Sequence, residues 1–175
     1  MGLNRIKRWL SVAMVSLLMG CTGLPEGVEP VESFELDRYL GTWYEIARLD
    51  HSFERGMERV TAEYQMRPDG GVRVLNRGFD TEQGDWQEAE GRAYFVGSDE
   101  VGHLKVSFFG PFFGSYVVFD LEPEYQYAFV AGNSTDYLWL LARTPQVSAS
   151  VRQRFIEQAA ARGFDTDALI WVAQE

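Results

Sequence analysis

Between Tyr39 and Arg143, aromatic and β-branched residues recur in runs of about eight, each broken by Gly, Asp, Asn or Pro. Inside the runs apolar and polar positions alternate, and a period of two is the pattern of strands with one dry and one wet face. The runs predict eight strands, over Thr42–Leu49, Val60–Arg67, Val72–Phe79, Trp86–Phe95, His103–Phe109, Ser115–Leu121, Tyr127–Ala131 and Leu138–Arg143. Asp69-Gly70-Gly71 is a tight hairpin signal between the second and third, and Gly132 to Asp136 is another between the last two. Eight consecutive strands with short links predict an all-β fold, an eight-stranded up-and-down antiparallel β-barrel. The period changes once: Val151, Phe155 and Ala159 make an apolar stripe, with Ser148 placed to cap a helix and Gly163 to stop it. A helix with one narrow apolar face packs outside the barrel, and a short final strand follows at Leu169–Val172.

The same alternation assigns faces. If Arg73 and Arg77 face water, Val72, Val74 and Asn76 point inward. Glu63 and Gln65 outward leave Ala62, Tyr64 and Met66 inside; Glu88, Glu90 and Arg92 outward leave Ala89, Gly91 and Ala93; Lys105 outward leaves Leu104, Val106 and Phe108. The eighth strand is apolar on both faces, so alternation does not orient it. Small residues on an inner face leave room, and small barrels either fill with side chains or hold one ligand. Each inward residue also reads as plain core, and a one-residue slip inverts a whole set.

Before the strands the pattern is different. Arg5, Lys7 and Arg8 precede an almost uncharged run from Trp9 to Leu18, ending at Leu18-Met19-Gly20-Cys21. About ten apolar residues do not span a hydrocarbon core that needs roughly 20, whereas basic start, apolar middle and small-residue end make a signal peptide. The last four residues resemble the lipobox of bacterial lipoproteins. That resemblance implies cleavage before Cys21 and acylation of its thiol and new amine. The chain then divides into a signal over residues 1–20, a Pro-containing acidic tether over 21–33 and a barrel domain over 34–175. Removing 20 of 175 residues leaves 155, enough for one core. Three cations leave with the signal and no anion does, taking the net charge from −10 to −13. Such a body has no electrostatic reason to bind nucleic acid or anionic lipid, so a membrane partner must be reached through covalent acyl chains, of which stable anchoring takes at least two. Cys21 is the only cysteine, so no intramolecular disulfide forms.

Gly41-Thr42-Trp43-Tyr44 resembles the Gly-Xaa-Trp signature that opens the first strand of lipocalins, and Arg143 ends the eighth strand where that family carries an arginine over the tryptophan. Glu124-Tyr125-Gln126-Tyr127 occupies the place of the family's second motif without its usual Thr-Asp pair. Longer stretches, Gly41 to Arg48, Phe53-Glu54-Arg55-Gly56, Lys105 to Phe112 and Asp136-Tyr137-Leu138-Trp139, resemble the bacterial outer-membrane lipocalins, relatives of apolipoprotein D. The resemblance implies that Gly41, Trp43 and Arg143 close the barrel floor as structure, and that Tyr64, Asn76 and Trp139 line a pocket. With the alternation it makes Tyr64, Met66, Val74, Asn76, Ala93, Phe108 and Trp139 the expected ligand-binding residues and Cys21 the lipid attachment site. It further implies carriage of fatty acids or lysophospholipids. Thr22 is not the aspartate that retains enteric lipoproteins in the inner membrane, which implies a periplasm-facing place on the outer membrane.

An enzyme needs an activated nucleophile, an acid–base pair or a metal cluster. His51 and His103 stand alone in the sequence, without the ligand spacing of a zinc site, and Ser134 does not sit in a nucleophile elbow. The sequence therefore predicts no catalytic residue, metal or cofactor. Glu54 and Arg55 fall in the loop after the first strand, at the expected mouth, and read either as solvated loop charge or as contacts for a head group. Two functions stay open beside the remoter one of a lipocalin-fold enzyme: a lipid carrier with a cavity, and a structural lipoprotein with a solid barrel. The inward amide of Asn76 and the small residues of the fourth strand favour the cavity. Self-pairing into a homodimer also stays open.

Overall fold

The computed structural model describes residues 22–175; the signal segment and Cys21 lie outside the described residues. One helical turn, α1 (Leu36–Tyr39), leads into eight strands: β1 (Gly41–Arg48), β2 (Met57–Met66), β3 (Val72–Asp80), β4 (Asp85–Phe95), β5 (His103–Ser107), β6 (Gly114–Leu121), β7 (Tyr127–Ala131) and β8 (Leu138–Ala142). Each pairs antiparallel with the next, and β8 returns to β1, so the sheet closes into the predicted barrel. β2 starts at Met57 instead of Val60 because Arg59 sits at φ +52° where the register slips between Glu58 and Thr61, and this bulge hides the alternation.

Helix α2 (Ala149–Ala160) forms where the period of 3.6 placed it, with the Ser148 hydroxyl accepting from the Val151 amide. Phe155 and Ala159 are buried against the outer faces of β6 to β8, in a cluster with Val117, Phe129, Leu138 and Leu140. A second cluster fills the closed end of the barrel, around Tyr39, Trp43, Val118, Val130 and Leu141. The apolar faces of β6 to β8 are thus covered on both sides. That is why β8 shows no alternation in sequence.

A short strand, β9 (Ile170–Trp171), pairs with β1 at Ala47 and Arg48. Beyond Tyr44 the ladder between β1 and β2 stops, and residues after β9 bridge the gap. The Arg59 amide donates to the Ala173 carbonyl, and the Gln174 side-chain amide donates to the carbonyls of both Glu45 and Val60.

Residues 22–33, read from sequence as a tether, are laid along the barrel instead. The Val31 amide donates to Val118, the Gly102 amide donates to Val31, and Phe34 donates to Glu100. Farther toward the start, the Ser115 hydroxyl donates to the Gly23 carbonyl at 2.7 Å. Val28 is buried in the outer cluster. Pro25, Pro30 and the acidic residues around them suggested free chain, but Pro25 and Val28 are buried and Val31 packs against the second cluster.

Candidate functional site

One end of the barrel is shut by a polar and aromatic plug. Trp43 is fully buried and its indole N–H donates to the Tyr39 carbonyl at 2.8 Å. The Arg143 guanidinium lies 3.9 Å from the centre of the Trp43 ring. Its N–H groups also donate to three backbone carbonyls, of Thr42, Arg38 and Tyr125. Each of the three guanidinium nitrogens thus donates to a backbone carbonyl, while the face of the cation lies over the indole. Gly41 is at φ +93°, a left-handed conformation that calls for glycine, and it lies in ordinary contact with Arg143.

Above this floor lies a cavity of about 500 Å³, lined mainly by apolar groups. Tyr64, Val74, Asn76, Ala93, Phe108 and Trp139 all border it, so six of the seven expected residues come together, five of them placed by the alternation and Trp139 by the resemblance. Met66 does not belong with them. As the last residue of β2, beside the hairpin at the closed end, its side chain is 49% exposed. Gly91 also lies off the cavity: the space a side chain would take is filled by the Phe108 ring, 2.8 Å from where a Cβ would stand. The room read into the small residues of β4 therefore admits Phe108 at Gly91 and a ligand only at Ala89 and Ala93.

The wall formed by β1 and the loop after it carries charge that the pattern did not reveal. Glu45, Arg48, His51 and Glu54 are all buried. Arg48 Nη1 donates to Glu45 Oε1 at 2.7 Å, and Arg48 Nη2 donates to the carbonyls of Glu54 and Met57. Glu54 Oε2 lies 2.9 Å from His51 Nε2 and accepts from the Trp139 indole at 3.1 Å. Solvated charge is one of two readings for Glu54 and Arg55; Glu54 is only 8% exposed, because the loop folds back over Trp139, whereas Arg55 stays in water, paired with Asp50. Burial, and next the charge of Glu54, push the Glu45 carboxyl well above the usual carboxylate range, Arg48 offsetting this only in part. Burial also raises Glu54, but the bonds from His51 and Trp139 and the positive charges outweigh it, and its pKa is lowered. Of the two acids facing the cavity, Glu45 tends to keep its proton where Glu54 gives its own up.

At the open end Phe109 and Phe112 stand more than three-quarters exposed on the loop between β5 and β6, with Phe53 half exposed opposite. The opening is thus framed by rings and the polar wall sits just inside it.

Comparison with known proteins agrees with this architecture. A family model described as a lipocalin-like domain matches residues 34–174. The outer membrane lipoprotein Blc of Vibrio cholerae is 62% identical over 160 residues, covering 91% of this chain and 94% of that protein. The protein of the same name from Escherichia coli is 53% identical over 150 residues, covering 86% and 85%. Among solved structures, the allergen Per a 4 from cockroaches superposes with a TM-score of 0.67 at 18% identity, covering 88% of this chain and 96% of the other.

Proposed function

We propose, from the premise that this chain belongs to the lipocalin family, that it carries single-chain lipids in its barrel at the bacterial outer membrane, held there by acyl chains on Cys21. The observation that carries the reading is the open, apolar cavity of about 500 Å³ between a sealed floor and an aromatic mouth. A barrel with a purely structural role gains nothing from an unfilled centre, since each cavity forgoes packing. The outer-membrane place rests on the names of the Vibrio and Escherichia relatives and on the lipobox-like Leu18-Met19-Gly20-Cys21.

Tyr64, Val74, Asn76, Ala93, Phe108 and Trp139 are the proposed ligand contacts. An acyl chain of about 14 methylenes contributes on the order of 10 kcal/mol on leaving water, at ~0.8 kcal/mol each, before ordering costs. Leaving a bilayer for the cavity, the same chain gains almost nothing. Fatty acids and lysophospholipids, which spend time in water, are therefore the expected cargo, and ordinary two-chain phospholipids are not.

Titrating delipidated, non-acylated protein below the lipid's micelle threshold, followed by calorimetry or tryptophan quenching, tests the reading. Saturable binding at micromolar affinity or tighter is expected, and Trp139→Ala should weaken it at least tenfold with an unchanged circular dichroism spectrum. Absence of saturable binding to any single-chain lipid overturns the carrier and leaves the structural lipoprotein.

A further inference from the structure

At the bottom of the cavity three tyrosines meet. Tyr39 comes from α1, Tyr64 from β2 and Tyr116 from β6, and all three line the space. Tyr39 Oη and Tyr116 Oη are 2.6 Å apart, and Tyr116 Oη and Tyr64 Oη are 2.8 Å apart. Among the described residues the three hydroxyls bond only to one another. Burial holds all three phenols above their ordinary pKa, so each keeps its proton. A chain of three hydroxyls has three protons and two links. Whichever way the links point, one O–H is left with no acceptor among three residues that all line the cavity. On the same wall the Asn76 amide lines the cavity, its Oδ1 out of reach of solvent and without a donor. Ala62 pairs with Asn76 and Tyr64 with Val74, which sets Asn76 one inward step nearer the mouth than the tyrosines.

An unsubstituted hydrocarbon pressed against these groups satisfies neither and expels the water that would. We infer that the closed end of the cavity is a subsite for an oxygen function, hydroxyl or keto, borne on the distal part of an acyl chain. The inference rests on the reading of the cavity as an acyl-chain carrier and narrows its cargo to oxygenated chains. From Met57 at the mouth to Tyr64 the strand runs about 23 Å at ~3.3 Å per residue, which places the subsite well away from a head group lodged among Glu54 and the rim aromatics.

The test uses the full acylated protein in phospholipid nanodiscs, offered octadecanoate mixed with chains hydroxylated at carbon 12, 14 or 16, or with the 12-keto acid, the retained lipid being read by native mass spectrometry. The reference is the triple variant Tyr39→Phe, Tyr64→Phe, Tyr116→Phe, which keeps the rings and removes every hydroxyl. The ratio of oxygenated to plain acid retained by the wild type should exceed that of the triple variant by roughly tenfold for at least one position, with the 12-keto acid, which accepts without donating, favoured over octadecanoate too. Tyr116→Phe alone breaks the chain into two lone hydroxyls and leaves two spare protons, so it should keep the preference. Equal ratios in wild type and triple variant, with plain acid retained by both, overturn the subsite and leave the carrier. If the triple variant does not fold, the wild type's ranking of the keto against the plain acid decides alone. Retention of no acid by the wild type removes the carrier and this inference with it.

Discussion

Arg143 ties together pieces of chain that lie far apart in sequence. It covers an indole and ties down carbonyls from the end of α1, the start of β1 and the turn before β7. Arg143→Ala leaves those carbonyls without donors and uncovers Trp43, and should lower stability by roughly 1–3 kcal/mol; an unchanged midpoint in a urea titration would contradict the geometry. Lysine at this position should recover little, since a point charge cannot supply the fork that reaches three carbonyls. Trp43, Gly41 and Arg143 were legible from their resemblance to a motif. Tyr64, Val74, Asn76, Ala93 and Phe108 were legible from alternation alone, the first four on strands with water on one side and Phe108 one residue past the end of β5. Met66 shows where that logic ends: alternation gives a direction, and only the position along the barrel axis says whether anything lies in that direction.

In β1 one irregularity decides the chemistry of the cavity wall. Its register against β8 slips between Glu45 and Ala47, so Ile46 and Ala47 both join the outer cluster and Arg48 follows Glu45 inward. A strict period of two would send Glu45 and Arg48 to opposite faces, which is why this pair was invisible in the sequence while β3 and β4, which alternate without a slip, were readable. The bulge buries a carboxyl that prefers its proton, and that has a measurable sign. A raised native pKa means the folded state binds a proton the unfolded state has already lost, so wild-type stability falls as pH rises from the ordinary glutamate value, about 4.3, toward the raised one. Glu45→Gln mimics the protonated form and keeps an oxygen for Arg48. It should match the wild type near pH 4 and become increasingly more stable toward neutral pH, by up to ~1.4 kcal/mol for each pH unit crossed. Parallel stability curves for the two proteins would show that Glu45 ionises freely. Glu54 works in the opposite direction, its lowered pKa giving stability that is lost as pH falls through it, so the comparison is best made with Glu54 unaltered.

For the molecule as a whole, the proposed cleavage before Cys21 leaves a body of net charge −13 that needs covalent lipid to stay at a membrane, and the proposed attachment point lies one residue before Thr22. Cys21→Ala should block both acylation and lipoprotein-type signal cleavage. Equal incorporation of radiolabelled palmitate by mutant and wild type would place the lipid elsewhere. The barrel, its helix and its last strand could be read from periodicity, since these are properties of single segments. Segments 22–33 and 172–174 could not, because their places are fixed by backbone bonds to distant strands that leave no pattern in their own residues. The seam of the barrel has its own consequence, which concerns time. Hairpins from β2 to β8 join neighbours in sequence and form early, whereas Ala47 and Trp171 are 124 positions apart, and closing so long a loop costs about 4 kcal/mol before any contact rewards it. The upper half of β1 is therefore a bare edge for as long as the chain is still emerging, and anything that delays residues 170–174 prolongs the interval in which one unfinished barrel can pair with the next.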